Sequence, residues 1–450
     1  MRAQPRTPEG IRVRGGRVAR LVEDFAGFGA LTSGGVSRPC ASRADGLARD
    51  RLSDMLREAG AEVLIDGVGN QFGLFGLAAR NGQPAVMMGS HLDSQPRGGR
   101  IDGTLGVMAA VEVAELLMEA KRGGQGFERD FCIVNWTNEE GARFRPSLMG
   151  SGVFAGHRTQ AEVLAACDDQ GVSLADALSG IGYRGTDTPP PIPVFYLELH
   201  AEQAVRLERH GFQIGLVTRN WGAVKLDLVF EGEQAHTGPT PMSDRRDALL
   251  AASRAIVALR ALADSEPEGL HSSVGRLLVS PNSSNVVPDR VVMTAEVRAA
   301  DDGILGAAEE AMLRLIRDAA ASANVEVGLS SRSSRLGQSL PAGPVDFLED
   351  CAHAIGLPVM RLDTVAGHDA LSFIGCCPTA LVFVPSVNGL AHNEAERTRP
   401  EDMDAGTALM LEAAFRLCRG GDAAAAPDIT ASGGCEHRAG DALAPLRSRP

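Results

Sequence analysis

Residues 84–136 carry three runs whose order sets the fold: Pro84-Ala-Val-Met-Met-Gly-Ser90, Thr104-Leu-Gly-Val-Met-Ala-Ala-Val-Glu-Val-Ala-Glu-Leu-Leu-Met-Glu-Ala-Lys121 and Phe131-Cys-Ile-Val-Asn-Trp136. The first and third are short and apolar, as strands buried on both faces are. The middle run is long and dominated by good helix formers. Strand, helix, strand in that order is a βαβ unit, whose crossover makes the two strands parallel. Outward from it the rhythm continues. Arg49–Gly60 reads as a helix stopped by Gly60, and Ala61–Leu74 as two extended runs. Val194–His200 is a strand, Val345–Ile355 a helix, Thr379–Pro385 a strand and Asp402–Arg419 a helix. The expectation is an α/β domain: a mixed, mostly parallel sheet with helices on both faces.

The middle of the chain has a different order. Val224–Glu231 reads as a strand, Arg245–Asp264 as a helix, Ser273–Val279 and Val291–Val297 as strands, Gly303–Ala321 as a helix and Asn324–Ser331 as a last strand. That β-α-β-β-α-β order predicts an inserted ferredoxin-like α+β domain with helices on one face. The domain plan is therefore a flexible N-terminus at 1–17, a main domain at 18–212 and 333–419, an insertion at 213–332 and a disordered tail at 420–450.

Bulk composition excludes several classes. The 450 residues are 44% hydrophobic, ample for two cores. A net charge of −13, from 44 basic and 57 acidic residues, argues against nucleic acid or an anionic membrane as partner. Aromatics, at 4%, are too few for base-stacking platforms. No apolar run reaches the roughly 18 residues of a membrane span, and the N-terminal residues lack the apolar core of a secretory signal. The 8 cysteines include no C-x-x-C pair, so a reduced, cytoplasmic setting is expected.

Chemistry concentrates at the ends of the expected strands. Glu139 and Glu140 stand side by side after the run ending at Trp136. Like charges in a cleft repel and drive each other toward protonation. A divalent cation relieves this by taking one acid as a ligand and leaving the other as a base. In Gly89-Ser-His-Leu-Asp-Ser94, His91 and Asp93 are two apart, which places Asp93 to fix the His91 ring from behind. Asp102 lies in a Gly-flanked turn ahead of a helix, where it could bridge two ions. His200 ends the strand in Tyr196-Leu-Glu-Leu-His-Ala-Glu-Gln203, and His392 follows another in Asn388-Gly-Leu-Ala-His-Asn-Glu-Ala-Glu396. Three histidines with these carboxylates suit two borderline ions such as Zn²⁺, with Asp102 shared. His236, in the loop Gly232-Glu-Gln-Ala-His-Thr-Gly-Pro-Thr-Pro-Met242 of the insertion, fits a donor that polarises substrate better than a further ligand. No Gly-x-Ser-x-Gly elbow and no phosphate-loop lysine compete with this reading.

These phrases, with Ala235–Leu249, Asn285–Arg298 and Gly367-His-Asp-Ala370, resemble the amidase/carbamoylase branch of the M20 metallopeptidase family over residues 18–418. The branch includes N-carbamoyl-L-amino-acid hydrolases, bacterial-type β-ureidopropionases and allantoate amidohydrolases. The resemblance implies a dinuclear site bridged by Asp102. His91 and His200 would complete one ion, Glu140 and His392 the other, and Glu139 would be the general base. It implies that the insertion is a lid that pairs two copies into a homodimer, with His236 entering the partner subunit's site. Gln203, Asn285, Arg298 and His368 match substrate-binding positions. The chain departs from the branch at Ala204-Val205, Ala223-Val224-Lys225 and Thr364-Val-Ala-Gly367, all substrate positions.

The expected activity is hydrolysis of a linear amide or ureido C–N bond, first of all in an N-carbamoyl-L-amino acid, giving the amino acid, CO₂ and ammonia. Allantoate-type ureido hydrolysis and N-acyl-amino-acid amidase activity are the alternatives. Zn²⁺ is expected first, and Mn²⁺, Co²⁺ or Ni²⁺ would suit the same donors. The reading from another class is a metal-free binding protein on the same scaffold, which need not keep Glu139.

Overall fold

The computed structural model describes residues 11–78 and 84–420. Its strands are β1 (Glu62–Ile65), β2 (Gln71–Phe75), β3 (Val86–His91), β4 (Phe131–Trp136), β5 (Phe195–Ala201) and β6 (Ile214–Asn220). They continue with β7 (Gly222–Glu231), β8 (Ala235–His236), β9 (Leu270–Ser280), β10 (Val286–Val287), β11 (Arg290–Ala299) and β12 (Glu326–Arg335). The last are β13 (Gln338–Ser339), β14 (Val359–Thr364) and β15 (Thr379–Val384).

The chain divides into two compact units. The first holds the described residues up to Thr218, Leu340–Leu362 and those from Ala366 onward. Its sheet runs β1-β2-β4-β3-β5-β15-β6, with β14 also on β6. The centre, β4-β3-β5-β15, is parallel, and the flanking pairs β1–β2, β2–β4 and β15–β6 are antiparallel. All residues of β3, β4, β5 and β15 are buried, which is why these strands lack polar alternation. The helices Thr104–Arg122 and Pro400–Cys418 fill one core with them.

The second unit holds Arg219–Ser339 with Asp363–Val365. Its antiparallel sheet has the order β12-β7-β11-β9. One face buries Val224, Leu226, Leu228, Phe230, Val291, Met293 and Val297 against the helices Ala248–Asp264 and Asp302–Ala321. This is a core of its own, separate from that of the first unit.

Several details differ from the sequence reading. The insertion begins later than 213, because β6 is tied into the first sheet through Leu216 and Gly215 against β15. It also ends later than 332, because β12 runs on to Arg335 along β7. Residues 11–17 are ordered rather than frayed. Val13 is buried, and Arg14 and Arg17 pair with Glu112 and Glu115 on the helix Thr104–Arg122. The helix expected from Arg49 starts at Arg43, where the Ser42 hydroxyl accepts the Asp45 amide as an N-cap. Residues 1–10 and 421–450, most of the expected flexible ends, lie outside the described residues. No helix among the described residues is long and apolar enough to cross a membrane.

Candidate metal centre

The carboxyl ends of the four parallel strands carry the site, where open α/β sheets gather ligands. His91 closes β3, His200 lies near the end of β5, the Glu139-Glu140 loop follows β4 and the His392 loop follows β15. Residues in left-handed backbone shape these loops, among them Asn138 at φ 56°, Asn388 at φ 58° and His392 at φ 51°. Asn138 suits that conformation and locks its loop by donating to the carbonyls of Phe144 and Pro146.

Asp102 sits between the histidines. Its Oδ1 lies 3.0 Å from His200 Nε2 and 3.8 Å from His91 Nε2, and its Oδ2 lies 3.2 Å from His392 Nε2. Glu140 Oε2 is 3.4 Å from the same His392 nitrogen. Two groups result, His91–Asp102–His200 and Asp102–Glu140–His392, each with one ligand atom per residue all within 4.8 Å of one another. Glu139 stands beside the first group, its Oε2 3.6 Å from His91 Nε2. Gln203 reaches Asp102 from 3.3 Å, and the His368 ring meets the His200 ring edge-on at 4.6 Å.

The backbone sets the histidine tautomers. His91 Nδ1 is 2.9 Å from the carbonyl of Asp93, and His200 Nδ1 is 3.0 Å from that of Ala201. Each thereby turns Nε2 toward Asp102. Asp93 also brings its carboxylate behind the His91 ring, with Oδ1 3.6 Å from the same Nδ1. The same carboxylate accepts the amides of Glu139 (3.2 Å) and Glu140 (3.3 Å) from the neighbouring loop.

The site is electrostatically unbalanced. Burial, then Asp369 and Glu140, push the Glu139 carboxyl well above its usual range. Burial and Asp102 raise Glu140 to about 7. Burial pulls His91 down to about 4. Burial also opposes charge on His200 and His392, but their hydrogen bonds to Asp102 outweigh it and raise each to about 9. Burial would lift Asp102 too, yet those same bonds hold it well below the carboxylate range. Further buried acids, Glu198, Asp369 and Glu396, surround this core. Divalent cations held among these groups would balance the buried carboxylates. Nitrogen and carboxylate donors at this spacing fit divalent ions of zinc type.

Sequence reading missed these surrounding acids and Gln95. Glu198 lies two residues before His200, so both project from one face of β5. It accepts the Ser90 hydroxyl (2.8 Å) and the Ala370 amide (2.7 Å). That i, i+2 spacing in an otherwise apolar strand was the available signal. Gln95 clamps Glu140 with its amide and side chain, at 3.1 and 2.7 Å.

The remaining candidates lie in the second unit. His236 is exposed on β8 opposite Val286, and its Nδ1 accepts the Gly238 amide at 3.0 Å. In the neutral ring the proton is then on the outward Nε2. Asn285 is exposed beside it and accepts the Thr237 amide through its carbonyl. Arg298 does not present a free fork. It spans both Glu296 oxygens at 3.1 and 3.2 Å and donates to the Val365 carbonyl at 2.8 Å.

Fold and site together have the form of a metal-dependent hydrolase. The profile of peptidase family M20/M25/M40 matches residues 87–416. The chain is 42% identical over 421 residues to a Mycolicibacterium smegmatis protein named as a hydrolase, covering 91% of this chain and 96% of that one. It is 34% identical over 413 residues to the N-carbamoyl-L-amino-acid amidohydrolase of Rhizobium meliloti, covering 90% and 97%. The crystal structure of an amidase of the hydantoinase/carbamoylase family from Burkholderia vietnamiensis matches with a TM-score of 0.88 at 34% identity, over 91% of this chain and 98% of that chain. The protein belongs to the M20 family, in its amidase/carbamoylase branch, as its motifs implied. It is a hydrolase of C–N bonds other than peptide bonds.

Proposed function

We propose that this hydrolase cleaves N-carbamoyl-L-amino acids at a centre of two divalent ions, Zn²⁺ foremost. The observation that carries the reading is Asp102, whose two oxygens face separate ligand groups. His91 and His200 would hold one ion with it, and Glu140 and His392 the other. Such ions, when bound, supply Lewis-acid activation of the ureido carbonyl and of the attacking water.

Glu139 takes the proton from water as its oxygen adds to the carbonyl carbon. The C–N bond to the amino acid then breaks, and Glu139 hands that proton to the departing nitrogen. Carbamic acid is left and falls apart to CO₂ and ammonia. His236, with its proton on Nε2, would enter the site of a second copy and is suited to stabilise the developing oxyanion there. The second unit is read as the lid and dimerisation unit. Its edge strand β9 exposes Leu277 and Leu278, which a second copy would cover.

The test is turnover by metal-loaded protein on N-carbamoyl-L-amino acids, allantoate and N-acyl-L-amino acids. Ammonia release from the first set is expected. Turnover confined to allantoate or to N-acyl compounds would transfer the reading to those classes, through the departures at Ala204, Lys225 and Thr364. No turnover of any ureido compound would overturn it. Light scattering at twice the 47.2 kDa chain mass tests the dimer.

A further inference from the structure

Arg38 is one of the largest fully buried side chains of the protein, at 1% exposure. A guanidinium in a core is costly unless its donors are met. Here they are met by oxygens around the metal-ligand segments. Nε donates to the Leu92 carbonyl at 2.5 Å, and Nη2 to the Thr104 hydroxyl at 2.9 Å. Nη1 donates to the carbonyls of Phe25 and Phe28, at 2.8 and 3.0 Å. These lie at the C-terminal end of the helix Arg17–Ala26, where the helix dipole favours a cation. The main chain adds two bonds. Arg38 N donates to Ser94 Oγ and the Ser94 amide to the Arg38 carbonyl, each at 2.9 Å.

Leu92 follows His91, and Thr104 comes two residues after Asp102. One planar fork thus ties together the two segments whose ligand atoms face each other at 3.8 Å. Those segments are already in close contact: a Cβ on Gly103 would lie 2.5 Å from the His91 ring. Asp93, bracketed by Leu92 and Ser94, in turn holds the amides of Glu139 and Glu140.

We propose that Arg38 is a positioning residue of the reaction, setting the spacing of His91 and Asp102 from beneath and, through Asp93, the orientation of the Glu139-Glu140 loop. This rests on the two-ion reading above. A lysine keeps the charge but not the fork, so it cannot span Leu92, Phe25 and Thr104 together.

The test is calorimetric titration of the metal-free full chain with Zn²⁺, with kcat and KM measured beside it. R38K and R38M are expected to weaken Zn²⁺ binding by roughly 10- to 100-fold, the usual effect of disturbing a ligand's supporting partner. They should lower kcat while KM stays near that of the unmodified chain. T104V, which keeps the guanidinium and cuts only its tie to the Asp102 segment, should shift both in the same direction by less. If the Arg38 variants do not fold, T104V decides. Unmodified Zn²⁺ affinity and kcat in folded R38K, or in T104V where R38K does not fold, overturn the inference alone. An unmodified chain that binds no Zn²⁺ overturns the two-ion reading and this inference with it.

Discussion

Replacing Glu139 and Glu140 one at a time by Gln should separate two carboxylates that are adjacent in sequence and unequal in function. Their main-chain amides share Asp93, so neither change disturbs the backbone contacts that shape the loop. Glu140 is clamped by Gln95 and faces His392 at 3.4 Å, the setting of a fixed ligand. Glu139 reaches no such clamp and lies 3.6 Å from His91 Nε2, free to exchange a proton. A positioned general base contributes about 10²–10⁴-fold. At about 1.36 kcal/mol per decade this is roughly 3–5 kcal/mol of barrier. In the proposed reaction Glu139 acts twice in one turnover, on water and on the leaving nitrogen, so the upper part of that range is expected for Glu139→Gln.

Metal content should stay unchanged in Glu139→Gln. Glu140→Gln should lose the ion of the Asp102–Glu140–His392 group and keep the other. The assay is metal analysis of each purified variant together with kcat on an N-carbamoyl-L-amino acid. Loss of metal in Glu139→Gln with full metal in Glu140→Gln would show that the roles are reversed. A Glu139→Gln enzyme within about tenfold of the unmodified rate would fall below the general-base range and refute the assignment.

Three further outcomes are expected. Gly103→Ala should weaken Zn²⁺ binding in calorimetry, because the residue has φ 62° and its new methyl would press on the His91 ring; a sparsely populated backbone of this kind alone costs on the order of 1–3 kcal/mol. Chelation should lower the melting temperature, since an ion present at 100 times its Kd stabilises by about 2.7 kcal/mol; identical melting curves with and without chelator would count against bound metal. Phe230→Ala, in the core of the second unit, should destabilise that unit by about 3–5 kcal/mol in denaturant unfolding while Zn²⁺ stoichiometry holds, because the ligands belong to the other core.

What could be read from the chain follows its physics. Strands buried on both faces appear as unbroken apolar runs, so β3, β4 and β15 stood out. The ligands stood out because polar residues directly after such runs are rare without a reason. The helices Met149–Phe154, Gln160–Ala165 and Leu174–Gly180 did not, being too short to show a 3.6-residue period. Arg14 and Arg17 looked like a loose basic end because their partners, Glu112 and Glu115, lie far along the sequence. The same holds for Arg38 and Arg49. Arg49 is buried with its ion-pair partner Asp45 four residues before it, and the Gly69 carbonyl and the Thr137 hydroxyl, distant in sequence, complete its hydrogen bonds. Local patterning therefore reports elements and candidate ligands, while the charges that hold those residues in place are set by the tertiary fold.

That division bears on the Glu139-Glu140 pair itself. Two adjacent acids on a regular strand would point to opposite faces, and only one could reach a site. The loop resolves this by leaving the strand at Trp136 and turning through left-handed Asn138. Both amides then converge on the single Asp93 carboxylate. With the backbone pinned there, the side chains separate, Glu139 toward His91 and Glu140 toward His392. The proposed base and the proposed ligand are thereby held on either side of Asp102, and the acid that separates them is Asp93, bracketed by the Arg38 contacts to Leu92 and Ser94.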